Sequence, residues 1–383
     1  MRRTPYDLFQ MQALPLEAKI HMTQARIRTW LDSWARFDIV NKKTGKTRFV
    51  TWDTRAGDEP PLKENEYIDK VWLDWVYLSF SGGKDSTVLD DILTKMGLGG
   101  DVVPRVFCDT GLEYPELRMF ATKKADVVLR PEMRFDQVLK TYGYPVVGKE
   151  VSKKIREARG GAPGAVNSLN GKNLDGTLSK FRQRFVKYAP IVNADFKVSD
   201  QCCDVMKKKP FKAYEKETGR VPILATMAHE SRLRAVAWMK NGCNAFDAKR
   251  SVSQPMAFWT EQDVLRYILE NDLPIASVYG DIVPADDQLT LDIGSDQKLK
   301  TTGVPRTGCV FCPIGAHCND RIRQMKETHP RQWKFCIGGG QFDETGLWTP
   351  SKEGLGLGYV FDELNGLYGP GWIDYGKDEG ADE

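Results

Sequence analysis

Ser81-Gly82-Gly83-Lys84-Asp85-Ser86 gathers two hydroxyls, two glycines, a lysine and a carboxylate directly behind the apolar run Val76-Tyr77-Leu78-Ser79-Phe80. The chemistry this composition suits is oxyanion binding. Adjacent glycines let backbone N–H groups approach a phosphate closely, and the following Thr87–Leu93 run predicts a helix whose N-terminal amides point at the same anion. Backbone N–H groups, Ser81 and Ser86 then hold phosphates, which makes a nucleotide the first ligand to consider. A plain Gly-Gly turn accounts for the glycines but not for Ser, Lys, Asp and Ser at fixed offsets around them. The Walker loop is a different pattern, and its Gly-Lys-Ser/Thr ending is absent here.

A second constellation is made of thiols. The chain has eight cysteines, of which Cys202-Cys203 and Cys309-Val310-Phe311-Cys312-Pro313 form two close pairs. Such pairing argues for metal or redox chemistry rather than a disulfide framework. Four soft ligands suit either zinc or a [4Fe–4S] cluster. Adjacent cysteines reach one tetrahedral zinc only with strain, whereas a cubane offers each sulfur its own iron, so Cys202, Cys203, Cys309 and Cys312 favour the cluster. Cys108 and Cys243 read as structural thiols. Cys318 and Cys336 stay open between spare ligand, reactive thiol and plain cysteine.

The elements that position these residues follow from periodicity. Leu16, Ile20, Thr23, Ile27, Trp30, Leu31 and Trp34 recur at helical spacing, and Asn41–Arg48 reads as a turn between two short strands. From Trp72 onward, apolar runs at 76–80, 102–108, 126–129 and 221–225 alternate with helical segments. That alternation implies an α/β fold: a Rossmann-like parallel sheet with helices on both faces and ligands outside the carboxyl ends of its strands. Thr260-Glu261-Gln262-Asp263 predicts a capped helix start. Three parts are expected: an N-terminal helical extension over 1–70, a nucleotide-binding domain over 71–300, and a cysteine-rich segment with an acidic tail over 301–383. The last, rich in Cys, Gly and aromatics, has little periodicity and is expected to owe its order to an inserted cofactor.

The 383 residues, 41% of them hydrophobic, carry a net charge of +3. The sum hides a local excess between Lys149 and Lys187, with ten Lys or Arg against three acids. A polyanion-binding surface and a solvated turn-rich loop both fit it. No membrane-length apolar run is present, and no apolar stretch follows Met1-Arg2-Arg3, so a cytoplasmic location is expected.

The complete Ser-Gly-Gly-x-Asp-Ser loop resembles that of the PP-loop ATP pyrophosphatases, of adenine nucleotide alpha hydrolase-like fold, which cleave ATP between the α and β phosphates. Lys84 stands at the variable position of that motif. The cysteine pairs, Asp109-Thr110-Gly111 with Pro115-Glu116, Glu230-Ser231-Arg232, Pro255 with Trp259–Val264, and Leu273-Pro274 with Val278-Tyr279 narrow the resemblance to the adenylylsulfate and phosphoadenylylsulfate (PAPS) reductase branch. In that branch a Cys-Cys pair and a later Cys-x-x-Cys hold a [4Fe–4S] cluster. Two departures stand out: no cysteine follows Cys336, where assimilatory reductases keep their nucleophile, and the loop is intact where theirs tends to be degraded.

Both departures point to ATP. The chain is similar to the ATP pyrophosphatase component of DNA phosphorothioation systems and to cluster-dependent tRNA thiolases. The resemblance implies ATP with Mg²⁺ as cosubstrate, a sulfur donor such as a cysteine desulfurase, and DNA or tRNA as acceptor through residues 149–187. Ser81, Gly82, Gly83, Lys84, Asp85 and Ser86 would bind the pyrophosphate, Asp109 would place Mg²⁺ or nucleotide, and Arg232 and Arg234 would neutralise phosphate charge. Asp85, Ser86, Asp109 and Arg232 are the expected catalytic residues. His229 reads as an acid or base or as a structural histidine, and His317 as a donor to a cluster sulfur. A reductase using Cys318 or Cys336, and a non-catalytic nucleotide-binding subunit, are the alternatives.

Overall fold

The computed structural model describes residues 3–285 and 297–377; residues 378–383, the end of the acidic tail, lie outside them. The four apolar runs form strands at Val76–Ser79, Arg105–Cys108, Val127–Leu129 and Val221–Ile223. The second begins only after Pro104, which has no N–H to give to a ladder. With Val252–Ser253 and Asn244–Ala245 they make a six-stranded sheet in the spatial order 127–129, 105–108, 76–79, 221–223, 252–253, 244–245. Every pairing is parallel except the last.

The chain therefore builds outward from 76–79 to one edge, then returns to lay 221–223 against the other side of 76–79. In an open parallel sheet that reversal leaves a crevice outside the carboxyl ends of the two central strands. Ser81–Ser86 leaves one of those ends and Met227–Arg232 follows the other. Successive residues of strand 76–79 point to opposite faces. Val76 and Leu78 join the main core with Val88, Leu89 and Ile92 of helix Lys84–Lys95, while Tyr77 packs with Val106, Phe211 and Tyr214. Both faces are covered, which is why the strands read as unbroken apolar runs.

The helical stripe forms helix Leu16–Leu31, which buries Thr23, Ile27, Trp30 and Leu31. Trp34, expected to continue that stripe, instead begins a strand. The N-terminal region is accordingly not only helical: Thr47–Asp53, Trp34–Asn41 and Glu66–Trp72 form a three-stranded antiparallel sheet, with the expected turn between the first two in sequence. Lys19, 2% exposed, ties helix Leu16–Leu31 to the start of helix Glu261–Glu270 through Asp263 at 2.7 Å. Asp263 also closes the capping box of Thr260. Removing one partner of a buried pair leaves the other charge unmatched, so Lys19→Ala is expected to cost about 3 kcal/mol, read as a lower denaturant midpoint at unchanged slope.

The chain divides into two compact units. The elements above belong to the first, Met1–Asp109, Glu113–Arg130 and Pro210–Thr307. The second comprises Thr110–Leu112, Pro131–Lys209 and Gly308–Glu383. Within it, Arg159 of helix Lys149–Arg159 donates to the carbonyls of Ile191, Val192, Ala194 and Phe196, fixing an irregular stretch by backbone capture. The stretch after Thr301, where the sequence shows little periodicity, contains regular structure. Helices Arg321–Thr328, Pro330–Ile337 and Leu357–Tyr368 form there, the last burying Leu357, Val360, Phe361 and Leu364. Those apolar residues recur at helical spacing, hidden in the sequence by the glycines at 338–340, 354 and 356 that surround them. Among the described residues, no helix is long and apolar enough to cross a membrane.

Candidate functional site

In the first unit, Ser81–Ser86 turns sharply from strand Val76–Ser79 into helix Lys84–Lys95. Gly82 takes φ +73°, and a Cβ there would stand 2.7 Å from the Cβ of Ala121, so conformation and space both require glycine. Gly83 precedes the helix and offers no side chain to cap it, so the first helical amide, that of Lys84, is met instead by the Tyr279 hydroxyl at 3.2 Å. The two serines brace the loop. Gly83 N–H donates to Ser81 Oγ at 3.2 Å, Ser81 N–H donates to Ser86 Oγ at 3.2 Å, and Ser86 Oγ donates to the Gly83 carbonyl at 2.9 Å.

Lys84, Asp85 and their surroundings supply the charge. Lys84 Nζ lies 3.1 Å from the Pro305 carbonyl and 3.1 Å from Glu261 Oε1. Burial works against its charge, but Asp85, Tyr279 and Glu261 outweigh burial and raise its pKa. The Asp85 carboxyl is also pushed up, above the ordinary carboxyl range, first by burial; Lys84 opposes the shift and Glu230 and Glu261 add to it. Its Oδ1 is a buried oxygen with no hydrogen-bond partner among the described residues. With Lys84 Nζ 3.8 Å away and no hydrogen bond to satisfy it, this carboxylate oxygen fits a Mg²⁺ ligand in its chemistry.

Tyr279 is a participant that the loop motif does not disclose. Its hydroxyl accepts from Lys84 N–H at 3.2 Å and lies 2.7 Å from Thr307 Oγ1, so it pins the first turn of the helix from a distant part of the chain. Tyr279→Phe leaves both partners unmatched and is expected to lower stability by about 1–2 kcal/mol, measured by chemical denaturation.

The other expected residues of this unit divide. Asp109, buried after strand Arg105–Cys108, receives Arg118 at both carboxylate oxygens, each at 2.7 Å, with Arg130 at 3.7 Å. Its charge thus already faces two cations. Glu230 pairs with Arg234 and, at 3.3 Å, with Arg306, a residue absent from the sequence reading. Arg232 is exposed at the start of helix Arg232–Asn241 and has no ion pair among the described residues. His229 is exposed, its Nδ1 3.1 Å from the Trp259 carbonyl oxygen, an arrangement that orients the ring.

In the second unit Cys202, Cys203, Cys309 and Cys312 line one small cavity with Phe135, Pro145 and Ile314. Contact with the Cys202 thiol holds Cys203 below the usual thiol range, against burial and with help from Lys149 and Lys207; Cys202 moves up correspondingly. Arg321 donates to the carbonyls of Cys309 and Cys312, fixing the Cys-x-x-Cys turn. Among the described residues no three His, Cys, Asp or Glu side chains stand together at metal-ligand geometry. The donor set nonetheless fits a soft metal centre in its chemistry: four thiols, one pulled toward thiolate, around a cavity whose remaining lining is Phe135, Pro145, Ile314 and the single carboxylate Asp200. Cys336 is fully buried and its thiol is pushed up by that burial, which makes it a poor nucleophile; Cys318 is exposed. His317 stacks on Trp372 with ring centroids 4.6 Å apart, and burial lowers its pKa.

The basic segment of this unit is partly consumed internally. Arg159 is taken by carbonyls, Arg156 pairs with Asp200 at 3.0 Å, Lys153 with Glu157 at 3.7 Å and Arg184 with Glu150. Lys154, Lys172, Lys180 and Arg182 have no ion pair among the described residues. Interleaved with them, Leu174, Leu178 and Phe181 are 82%, 67% and 75% exposed. Cations beside an exposed aromatic suit a single-stranded nucleic acid, which offers phosphates and stackable bases together.

Compared with known families, residues 171–314 match a model of the phosphoadenosine phosphosulfate reductase domain. The match includes Cys202-Cys203, Glu230, Glu261, Tyr279, Cys309 and Cys312, and begins beyond the Ser81–Ser86 loop. Over that stretch, less than half of the chain, the protein is similar to the PAPS reductase domain. None of the curated proteins matches the chain.

Proposed function

We propose that this chain cleaves ATP to AMP and pyrophosphate to activate an acceptor for sulfur transfer. The intact, braced loop Ser81–Ser86 with Asp85 Oδ1, which accepts no hydrogen bond, carries the reading, because a site that binds the β,γ-pyrophosphate of ATP needs both an anion cradle and a cation ligand. An acceptor oxygen attacks the α-phosphorus and the bond to the β-phosphate oxygen breaks. Pyrophosphate leaves into the loop as its magnesium complex, while Lys84 and the helix start offset its charge. The acceptor now carries AMP. A hydrosulfide-level sulfur then displaces AMP, forming the new bond to sulfur as the acceptor oxygen departs on the nucleotide, with no net oxidation.

Cys202, Cys203, Cys309 and Cys312 would hold a [4Fe–4S] cluster, which supplies a sulfur-handling and electron-handling centre when bound. The acceptor is a single-stranded segment of DNA or RNA, favoured by the free cations around Phe181. Charge reversal of Lys154, Lys180 and Arg182 together is expected to weaken binding of a single-stranded oligonucleotide on the order of a hundredfold at low salt and to flatten the salt dependence. An unchanged titration would remove nucleic acid from consideration.

The experiment that separates this reading from a reductase uses protein purified without oxygen and supplied with ATP or with adenylylsulfate plus a thiol reductant. AMP and pyrophosphate from ATP, without sulfite from adenylylsulfate, is the expected result. Sulfite release with ATP untouched would mean that a reductase operates here with an exposed thiol such as Cys318.

A further inference from the structure

A cavity of about 330 Å³ opens in the first unit between helices Pro5–Gln12 and Leu16–Leu31 and the edge strand Asn244–Ala245. None of the residues of the phosphate loop lines it. Its size is at the lower end of small-molecule sites. The lining combines two guanidinium groups, Arg3 and Arg26, with an apolar wall of Met11 and Phe246 and a floor of Trp238 and Cys243.

Several features point to a ligand rather than an incidental hollow. Trp238 is 2% exposed and lines the cavity; its indole N–H meets no nitrogen or oxygen acceptor among the described residues and faces only the weak sulfur acceptor of Cys243. A buried donor matched only by sulfur is costly, and a ligand oxygen would relieve it. Neither Arg3 nor Arg26 has a carboxylate within ion-pair distance among the described residues, although each costs entropy to hold near the cavity. Arg3 is placed by Gly242, which takes φ +73° and whose missing Cβ would stand 2.5 Å from the guanidinium; any other residue there would displace it. Asn244 is fixed by donating to the Arg26 carbonyl at 3.0 Å and accepting from Ser253 Oγ at 2.7 Å. The single carboxylate in the lining, Asp7, is held by the backbone N–H and hydroxyl of Thr4 at 2.6 and 2.8 Å. The balance is two cations against one anion, with a donor at the floor.

We propose that this cavity is a second ligand site, for a small organic oxyanion such as a phosphate monoester, sulfonate or carboxylate with an apolar body. The oxyanion sits between Arg3 and Arg26 and accepts from the Trp238 indole, and the body lies on Met11 and Phe246. Cys243, whose thiol burial keeps protonated against the pull of Trp238, Arg26 and Arg3, takes no covalent part.

The test is calorimetric titration of the full chain with phenyl phosphate, benzenesulfonate, benzoate and inorganic sulfate. At least one organic probe is expected to bind at millimolar affinity or better. Arg3→Met with Arg26→Met, both exposed positions, is expected to weaken it about tenfold or more, and Trp238→Phe several-fold. Ser81→Ala with Ser86→Ala, in which ATP binding is lost, is expected to leave the affinity intact. That last arm separates this site from the proposed ATP chemistry. Failure of all probes to bind, binding unaffected by the two arginine substitutions, or binding lost only in the serine variant would overturn the proposal. Should Trp238→Phe alter the circular dichroism spectrum, the arginine pair alone decides.

Discussion

Asp85→Asn is expected to reduce AMP formation from ATP about a hundredfold while leaving the protein as stable as before or slightly more so. The two effects have one origin. Burial holds the Asp85 carboxyl above the ordinary range, so its ionised form is costly in the folded chain, and Oδ1 accepts no hydrogen bond and meets Lys84 Nζ only at 3.8 Å, which offsets that cost in part. A neutral amide of the same shape removes the cost. Lys84 keeps Glu261 and the Pro305 carbonyl, so its own placement survives. What is lost is the only charge available at Oδ1 for a magnesium–pyrophosphate complex, and loss of one preorganised electrostatic group typically costs two to three orders of magnitude in rate, about 3–4 kcal/mol. Loss of activity together with a lower melting temperature would assign Asp85 to structure; full activity would remove it from the chemistry.

Cys203→Ser and Cys309→Ser are each expected to bring iron and acid-labile sulfide in anaerobically purified protein close to background. Sulfur incorporation should disappear with them. The Ser81–Ser86 loop and the four cysteines belong to different compact units, so AMP and pyrophosphate formation should remain within a few-fold of the unaltered protein. Cys203 is the sharper test, since its thiol is already pulled toward thiolate and a metal must displace fewer protons to bind it. Cys318→Ser, altering an exposed thiol, serves as the control that keeps both metal and activity. Iron retained in both cysteine variants would sink the cluster assignment; iron lost together with ATP cleavage would tie the two units into a single step.

The sequence made some of this legible for a physical reason: the signals are local. Two glycines, two serines and an aspartate after an apolar run specify a sharp strand-to-helix turn, and the strand runs at 76–80 and 221–225 place that turn at a crevice. The Thr260–Asp263 cap was readable within four residues, and it forms. What escaped depends on distance along the chain. Tyr279 and Thr307 brace Lys84 from far away, and Arg306 reaches Glu230 in the same manner. Nothing near Lys84 announces them.

Asp109 shows a different failure. The resemblance gives it the placing of Mg²⁺ or nucleotide, but whether Arg118 folds back onto both its oxygens is decided by the rotamers of a neighbouring helix, not by motif. The stretch after Thr301 shows little periodicity in sequence because glycines at its edges dilute that of Leu357, Val360, Phe361 and Leu364, whose burial then dominates. The four cysteines, paired in sequence, do line one cavity, and the strain argument about adjacent ligands is what sequence alone contributes to choosing between zinc and a cluster.

The most direct test of ATP activation is phosphorus NMR of the nucleotide products formed from ATP and magnesium by the anaerobically purified protein. AMP and pyrophosphate, appearing in equal amounts and lost in Asp85→Asn, is the predicted result. ADP with inorganic phosphate, or ATP left intact, would contradict cleavage between the α and β phosphates and with it the proposed role of the Ser81–Ser86 loop.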